Sequence, residues 1–253
     1  MTHIAWVPER WLEPARATLA GMGEAHPSRT ILLLPEPLSP HDRLDATVAV
    51  ECYDIPGIER NVCSEIVELR LHGRRATAPA SIVIPLLIPD LPVFCRWRGD
   101  LPFGAPELEG LLDVVDRLIV DSSEWDDPAG SYARLAGLFE RAAVSDIAWA
   151  RTTAWRAALA ERWPGIASVR TLHVAGPQAD ALLLVGWLRA RLDRRDIELV
   201  HEEAAAIELV EADGEVAERP PGAVPSASEV LSAELDRLTR DRVYEDAVLT
   251  AAS

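Results

Sequence analysis

Four places in this 253-residue sequence combine side chains that can do chemistry. In IPLLIPDLPVFCRWRGDLP, residues 84 to 102, an apolar run gives way to Arg96, Trp97, Arg98 and Asp100. Two guanidiniums, an indole and a carboxylate at the end of a buried strand make either an active-site rim or a docking surface. Trp and Arg are the types most enriched in protein interfaces, and an arginine pair suits a partner's carboxylates, so composition favours docking. Alternatively, Trp97 folds back onto the core and the arginines pair with local acids such as Asp90 or Asp121. His173 lies in RTLHVAGPQAD, where Gly176 precedes a helix, an arrangement that can hold a phosphate or carboxylate at the helix N-terminus. One glycine and no partner base weigh toward an ordinary turn instead. IVDSSEWDD places Asp121, Glu124, Asp126 and Asp127 beyond a strand, where carboxylates can take a divalent metal. The glycine and ligand spacing of a calcium loop are missing, so a helix cap at Asp126 or Ser131 with solvated neighbours is the stronger expectation. Cys52, Cys63 and Cys95 are odd in number and show no CxxC spacing, so neither a disulfide framework nor a zinc site is expected, only buried or weakly redox-active thiols.

The catalytic inventory is otherwise thin. No GxGxxG follows a strand, and GxxxxGK[ST] and GxSxG are absent. There is no lysine; all 25 basic residues are arginine, which excludes Schiff-base chemistry and a lysine-bearing phosphate loop. A net charge of -16 argues against nucleic-acid binding. Residues 196 to 253 hold 15 acidic against 4 basic side chains, a solvated face or a surface for a basic partner. No apolar run reaches the ~18 residues of a membrane span, and MTHIAWVPERW does not read as a signal peptide, so a cytoplasmic location is expected. The RGD at 98 to 100 matches an adhesion tripeptide but carries no weight without an export signal. Eight tryptophans are many for this length; those at 149, 155, 163 and 187 fall on or beside helices, where core contacts are the usual role.

The elements that must position these residues form an α/β chain. SRTILLLPEP reads as a buried strand, TVAVECYD and SEIVELRLHG alternate at period two, and IPGIERN between them is a long hairpin connection. APASIVIPLLIPD is ambiguous: Pro79 suits a first helical turn, whereas Pro85 would kink a continuing helix. LPVFCRW and DRLIVDSS are further strands. SYARLAGLFERAA and SDIAWARTTAWRAALAERW have helical spacing, the second opened by Ser145 as N-cap. Beyond the Pro-Gly at 164 to 165 come the strand SVRTLHVAGP, the strongly amphipathic helix QADALLLVGWLRARLDR, the strands IELVHE and AAIELVEADG, and the loop ERPPGAVPSAS. A last helix, SEVLSAELDRLTRD, has Ser228 as its cap. The expected fold is a mixed-sheet N-terminal α/β domain with covering helices, residues 1 to 144. A smaller C-terminal α/β domain, 145 to 253, is expected to begin with a linking helix.

Together, CSEIVELRLHG, ASIVIPLLIPDLPVFCRWRGDLP, DRLIVDSS, SDIAWARTTAWRAALAERW and ELDRLTRDRVYEDAV, in this order, resemble the OpcA family of glucose-6-phosphate dehydrogenase assembly proteins, over roughly residues 28 to 250. The family's paired tryptophans before GxxP are replaced by Arg96, Trp97 and Arg98. The resemblance implies a non-catalytic protein that associates with glucose-6-phosphate dehydrogenase in the oxidative pentose phosphate pathway; from the thin motif inventory no metal or cofactor is expected. Arg96, Trp97, Arg98 and Asp100 are the partner-binding residues inferred from chemistry. The alternative is a small α/β sugar-phosphate sensor or enzyme using Arg96, Arg98 or the Gly176 turn.

Overall fold

The computed structural model describes residues 1–22, 28–54, 61–218 and 225–252, so most of the IPGIERN connection and the middle of the ERPPGAVPSAS loop lie outside the described residues. In chain order the elements are β1 (Thr2–Trp6), α1 (Leu12–Ala20), β2 (Arg29–Glu36), β3 (Leu44–Asp54) and β4 (Asn61–His72). There follow α2 (Pro79–Val83), β5 (Val93–Trp97), α3 (Pro106–Leu112), β6 (Arg117–Val120), α4 (Pro128–Ala136), β7 (Ala143–Asp146), α5 (Ile147–Arg151) and α6 (Thr153–Glu161). The remainder is β8 (Thr171–Gly176), α7 (Gln178–Leu192), β9 (Glu198–Glu203), β10 (Leu209–Ala212), β11 (Glu215–Val216), α8 (Ala227–Leu235) and α9 (Arg242–Ala251). The chain forms two compact units: Met1–Val120 with Arg141–Val144 and Pro225–Leu238, and Asp121–Glu140 with Ser145–Val224 and Thr239–Ser253.

The first unit is built on a mixed sheet in the order β3-β4-β2-β1-β5-β6, with the first residues of β7 at the far edge. β1 runs parallel to β2 and β5, β4 parallel to β2, and β3 antiparallel to β4. Every residue of β1, β5 and β6 is buried, although β1, which was not among the expected strands, opens on Thr2 and His3, β5 carries Arg96 and β6 opens on Arg117. One face is covered by α1, whose Leu12 and Ala15 pack on Ala5, Leu32 and Leu34. α8 docks on α1: Ser228 Oγ donates to the Thr18 carbonyl, and a Cβ on Gly21 would lie 2.3 Å from that Oγ. Ser228 therefore makes a helix-to-helix contact, and the cap is Ser226, which forms a reciprocal capping box with Glu229. In APASIVIPLLIPD the two prolines divide the work: Pro79 opens α2, and Pro85 falls in a single 3-10 turn, Ile84–Leu86, that ends it.

The second unit carries a four-stranded sheet, β11-β10-β8-β9, with β8 and β9 parallel across the α7 crossover. β10 and β11 form a hairpin whose loop residues, Asp213 and Gly214, both have positive φ, the pair a two-residue turn of this hand requires. α7 was expected to be amphipathic. It is buried almost all round, because the sheet's core takes Leu184, Val185 and Leu188 on one side while α9 packs on the other. Gly186 makes the second contact possible, since a Cβ there would lie 2.3 Å from the Ala247 carbonyl oxygen of α9. The segment 145 to 163 is not one helix: the strand β7 runs through Ser145, Asp146 caps α5 by accepting from Ala148 N, and a turn at Thr152 separates α5 from α6. Likewise Asp127, not Asp126 or Ser131, caps α4, accepting from Gly130 N.

Candidate functional site

The end of β5 corrects one expectation. Arg96 and Trp97 do not stand at a surface: they are 4% and 2% exposed. Trp97 stacks on Trp6 with ring centroids 4.6 Å apart, and its indole N–H donates to the Asp100 carbonyl. The cause is register: β1 and β5 are parallel neighbours that place Trp6 beside Trp97, so two large aromatic faces cover each other instead of facing water. What reaches the surface is half-buried Arg98, its guanidinium 4.8 Å from the Trp11 ring centre, and exposed Asp100, 3.6 Å from Arg10. Gly99 turns the chain there with φ of +78°.

The other sequence candidates scatter. His173 Nδ1 lies 3.1 Å from Glu211 on the neighbouring strand. A Cβ on Gly176 would lie 3.0 Å from the Ile207 backbone, so this glycine serves a close backbone approach. Cys52 and Cys63 form a disulfide, against expectation. The β3–β4 register sets them opposite each other with Cα atoms 4.0 Å apart, which no local spacing motif reports. Cys95 is a buried free thiol, its pKa pushed up to about 12 by burial. Among the described residues no group of three or more His, Cys, Asp or Glu is placed to hold a metal ion, and no helix is long and apolar enough to cross a membrane.

Of the four carboxylates after β6, Asp121 joins a network that sequence reading did not assemble. Arg151, the last residue of α5, donates to both Asp121 oxygens at 2.9 and 3.0 Å, to Ser123 Oγ at 2.8 Å, and to both Asp180 oxygens at 3.2 Å. One planar guanidinium thus ties together the turn after β6, α5 and the first turn of α7. Burial raises the Asp180 pKa against the opposing pull of Arg151. A second set surrounds Asp146, which is 1% exposed. Its Oδ1 accepts from Ser122 N at 3.0 Å and Ala148 N at 2.9 Å, and Tyr244 Oη lies 3.3 Å from Oδ2. Tyr132, fully buried, completes the set through Ser122 Oγ at 2.9 Å. Arg151 serves Asp121 and Asp180, whereas Asp146 has no cationic partner among its bonds, and its pKa rises to about 7 through burial and the charge of Asp121.

This has a measurable sign. A carboxyl raised from 3.8 to about 7 on folding binds its proton more tightly in the native state. Its contribution to stability is full below the unfolded pKa and is lost as pH rises through the folded one, with a slope of up to about 1.4 kcal/mol per pH unit. Asp146→Asn keeps the acceptor for Ser122 N and Ala148 N and cannot ionise. The variant is expected to gain stability relative to the parent between pH 5 and 8 in chemical denaturation; parallel pH profiles for the two would disprove it.

A two-unit α/β protein with a buried ion network, and no metal-binding cluster among the described residues, is the class defined by these features. Residues 21–137 match the model of the glucose-6-phosphate dehydrogenase subunit N-terminal domain, and residues 142–248 match that of its C-terminal domain. The chain belongs to the OpcA family, as the ordered motifs implied. A curated relative from Synechocystis sp., bearing the name OxPP cycle protein OpcA, is 26% identical over 202 residues, covering 73% of this chain and 42% of the relative. Its namesake from Synechococcus elongatus is 28% identical over 178 residues, covering 66% of this chain and 40% of the relative. The chain thus spans less than half the length of these relatives.

Proposed function

We propose that this chain is a non-catalytic assembly factor or allosteric activator of glucose-6-phosphate dehydrogenase, acting in the cytoplasm in the oxidative pentose phosphate pathway. The observation that carries the reading is the match of two consecutive regions, residues 21–137 and 142–248, to the two domains of a glucose-6-phosphate dehydrogenase subunit. Division of the chain into domains at residues 144 and 145 belongs to the same proposal and is supported by the junction of those regions. At the end of β5, Arg98 and Asp100 are the side chains accessible to a partner, while Arg96 and Trp97 support them from beneath. An activator works only by binding the active oligomer more tightly than the inactive form. Raising a small active fraction tenfold takes a differential affinity of about tenfold, or about 1.4 kcal/mol.

The test uses purified dehydrogenase from the same cells. Adding the chain is expected to raise its activity or oligomer size saturably, while the chain alone oxidises no sugar phosphate with NAD or NADP. Absence of any effect on the dehydrogenase, or dehydrogenase turnover by the isolated chain, overturns the proposal.

A further inference from the structure

The outer edge of the first unit's sheet has no cover. β3, 11 residues long, is the terminal strand and pairs on one side with β4 alone. Its register against β4 runs unbroken from Leu44 opposite Leu71 to Asp54 opposite Asn61, so no bulge bends the strand away. Its free side presents a row of backbone N–H and C=O groups to water. Soluble proteins blunt such an edge with charges, proline, a bulge or a covering segment. The stretch from Ala46 to Val50, ATVAV, has none of these: all five residues are exposed, Val48 at 58% and Val50 at 62%.

The side chains of β3 continue a core that stops short of the edge. The register sets Ile31, Val67 and Val48 in one row across β2, β4 and β3, and Leu33, Leu69 and Ala46 in the next. In each row the β2 and β4 members are buried while the β3 member lies in water. Another strand added at this edge satisfies the backbone row and flanks the valines at once.

The strand is its own complement. A two-fold axis through Ala49, perpendicular to the sheet, lays a second β3 antiparallel to the first and sets Val48 opposite Val50 of the second copy, twice by symmetry. Cross-strand pairs of such side chains stabilise a sheet. In this register Thr47 falls opposite Glu51 and Asp45 opposite Tyr53, so no like charges meet. An axis through Val48 would instead set Asp45 opposite Glu51, a repulsive pair. The next longest edge strand among the described residues, β9, carries Glu198, Glu202 and Glu203 and is protected by them. The β3 pairing therefore uses the one open edge of each copy, and assembly closes at two instead of running on as a fibre.

We infer that β3 is a dimerisation edge: two copies of this chain join through antiparallel β3 strands centred on Ala49, merging their sheets into one. The inference stands independently of the proposed function.

Sedimentation of the full chain over a range of concentrations tests it. The wild type is expected to be dimeric in the micromolar range, and Val48→Lys, at an exposed position, to raise the dimer Kd roughly 30-fold or more at an unchanged melting temperature. Ala49→Cys reads the register, and carries the test by itself if the lysine variant fails to fold. On the axis its two copies lie about 4.5–5.5 Å apart between Cα atoms, within disulfide reach, so mild oxidation is expected to give a covalent dimer linked at that position. Val48→Cys lies diagonally from its counterpart, about 7–8 Å away, and is expected not to crosslink. A wild type that stays monomeric, a dimer that folded Val48→Lys leaves intact, or crosslinking through Val48→Cys in place of Ala49→Cys overturns the inference. A monomeric wild type whose Val48→Lys variant no longer acts on the dehydrogenase assigns the edge to a strand of that enzyme and likewise overturns it.

Discussion

Arg151→Met is expected to destabilise the second unit by about 3 kcal/mol or more, because it strands two buried carboxylates rather than merely deleting a contact. Asp180 and Asp121 are 1% and 10% exposed at the side chain, and both take their charge partner from the same guanidinium. The methionine keeps much of the aliphatic bulk, so the loss reports charge and hydrogen bonding rather than a cavity. Arg151→Lys is expected to recover only part of it, since an ammonium cannot span Asp121, Asp180 and Ser123 from one plane. The pH dependence separates this account from simple packing. Without the guanidinium the native carboxylates bind protons more tightly than the unfolded ones do, so the variant should recover stability in acid and lose more as pH rises. Urea denaturation at pH 5 and pH 8 checks this. A loss below about 1 kcal/mol, equal at both pH values, would show that the network is a solvated ion pair worth no more than a surface bridge.

The difference between what was and was not legible in the sequence follows from range. Strands buried on both faces, such as β2 and β5, announce themselves because a parallel sheet covered by helices demands unbroken apolar runs. The prolines at 79 and 85 bracket α2 for a reason contained in their own rings. By contrast, Arg151 draws Asp121 and Asp180 from separate stretches, Asp146 does the same with Ser122 and Tyr244, and nothing local to any of them signals the others. The Cys52–Cys63 bond is of the same kind, fixed by hairpin register rather than spacing. Even the Ser145–Asp146 error is physical. Both residues are good caps, and the strand β7, which carries the chain one residue further than a helix reading allows, decides for Asp146. The docking rim was misjudged in depth: strand β5 ends where expected, but Trp6 on its neighbour claims the Trp97 face.

Trp97→Ala should therefore read as a core mutation, with a loss of about 3–5 kcal/mol. Trp97 is 2% exposed, lies against Trp6 at 4.6 Å with planes 14° apart, and anchors the turn to Asp100 through its indole N–H. Removing it takes away a large buried area, leaves a void that the closely packed parallel strands β1 and β5 cannot close, and frees the Asp100 carbonyl. Trp97→Phe, which keeps an aromatic face against Trp6 but loses the donor, should cost appreciably less. The docking reading of the same residue predicts another pattern: an unchanged melting temperature with dehydrogenase affinity lower by roughly 2 kcal/mol. Measuring both quantities on the same preparations separates the two. Burial requires that stability fall while affinity per folded molecule stays within about twofold of the parent, because a side chain covered by Trp6 has no face to offer a partner. A stable Trp97→Ala protein that has lost its partner would return this tryptophan to the interface.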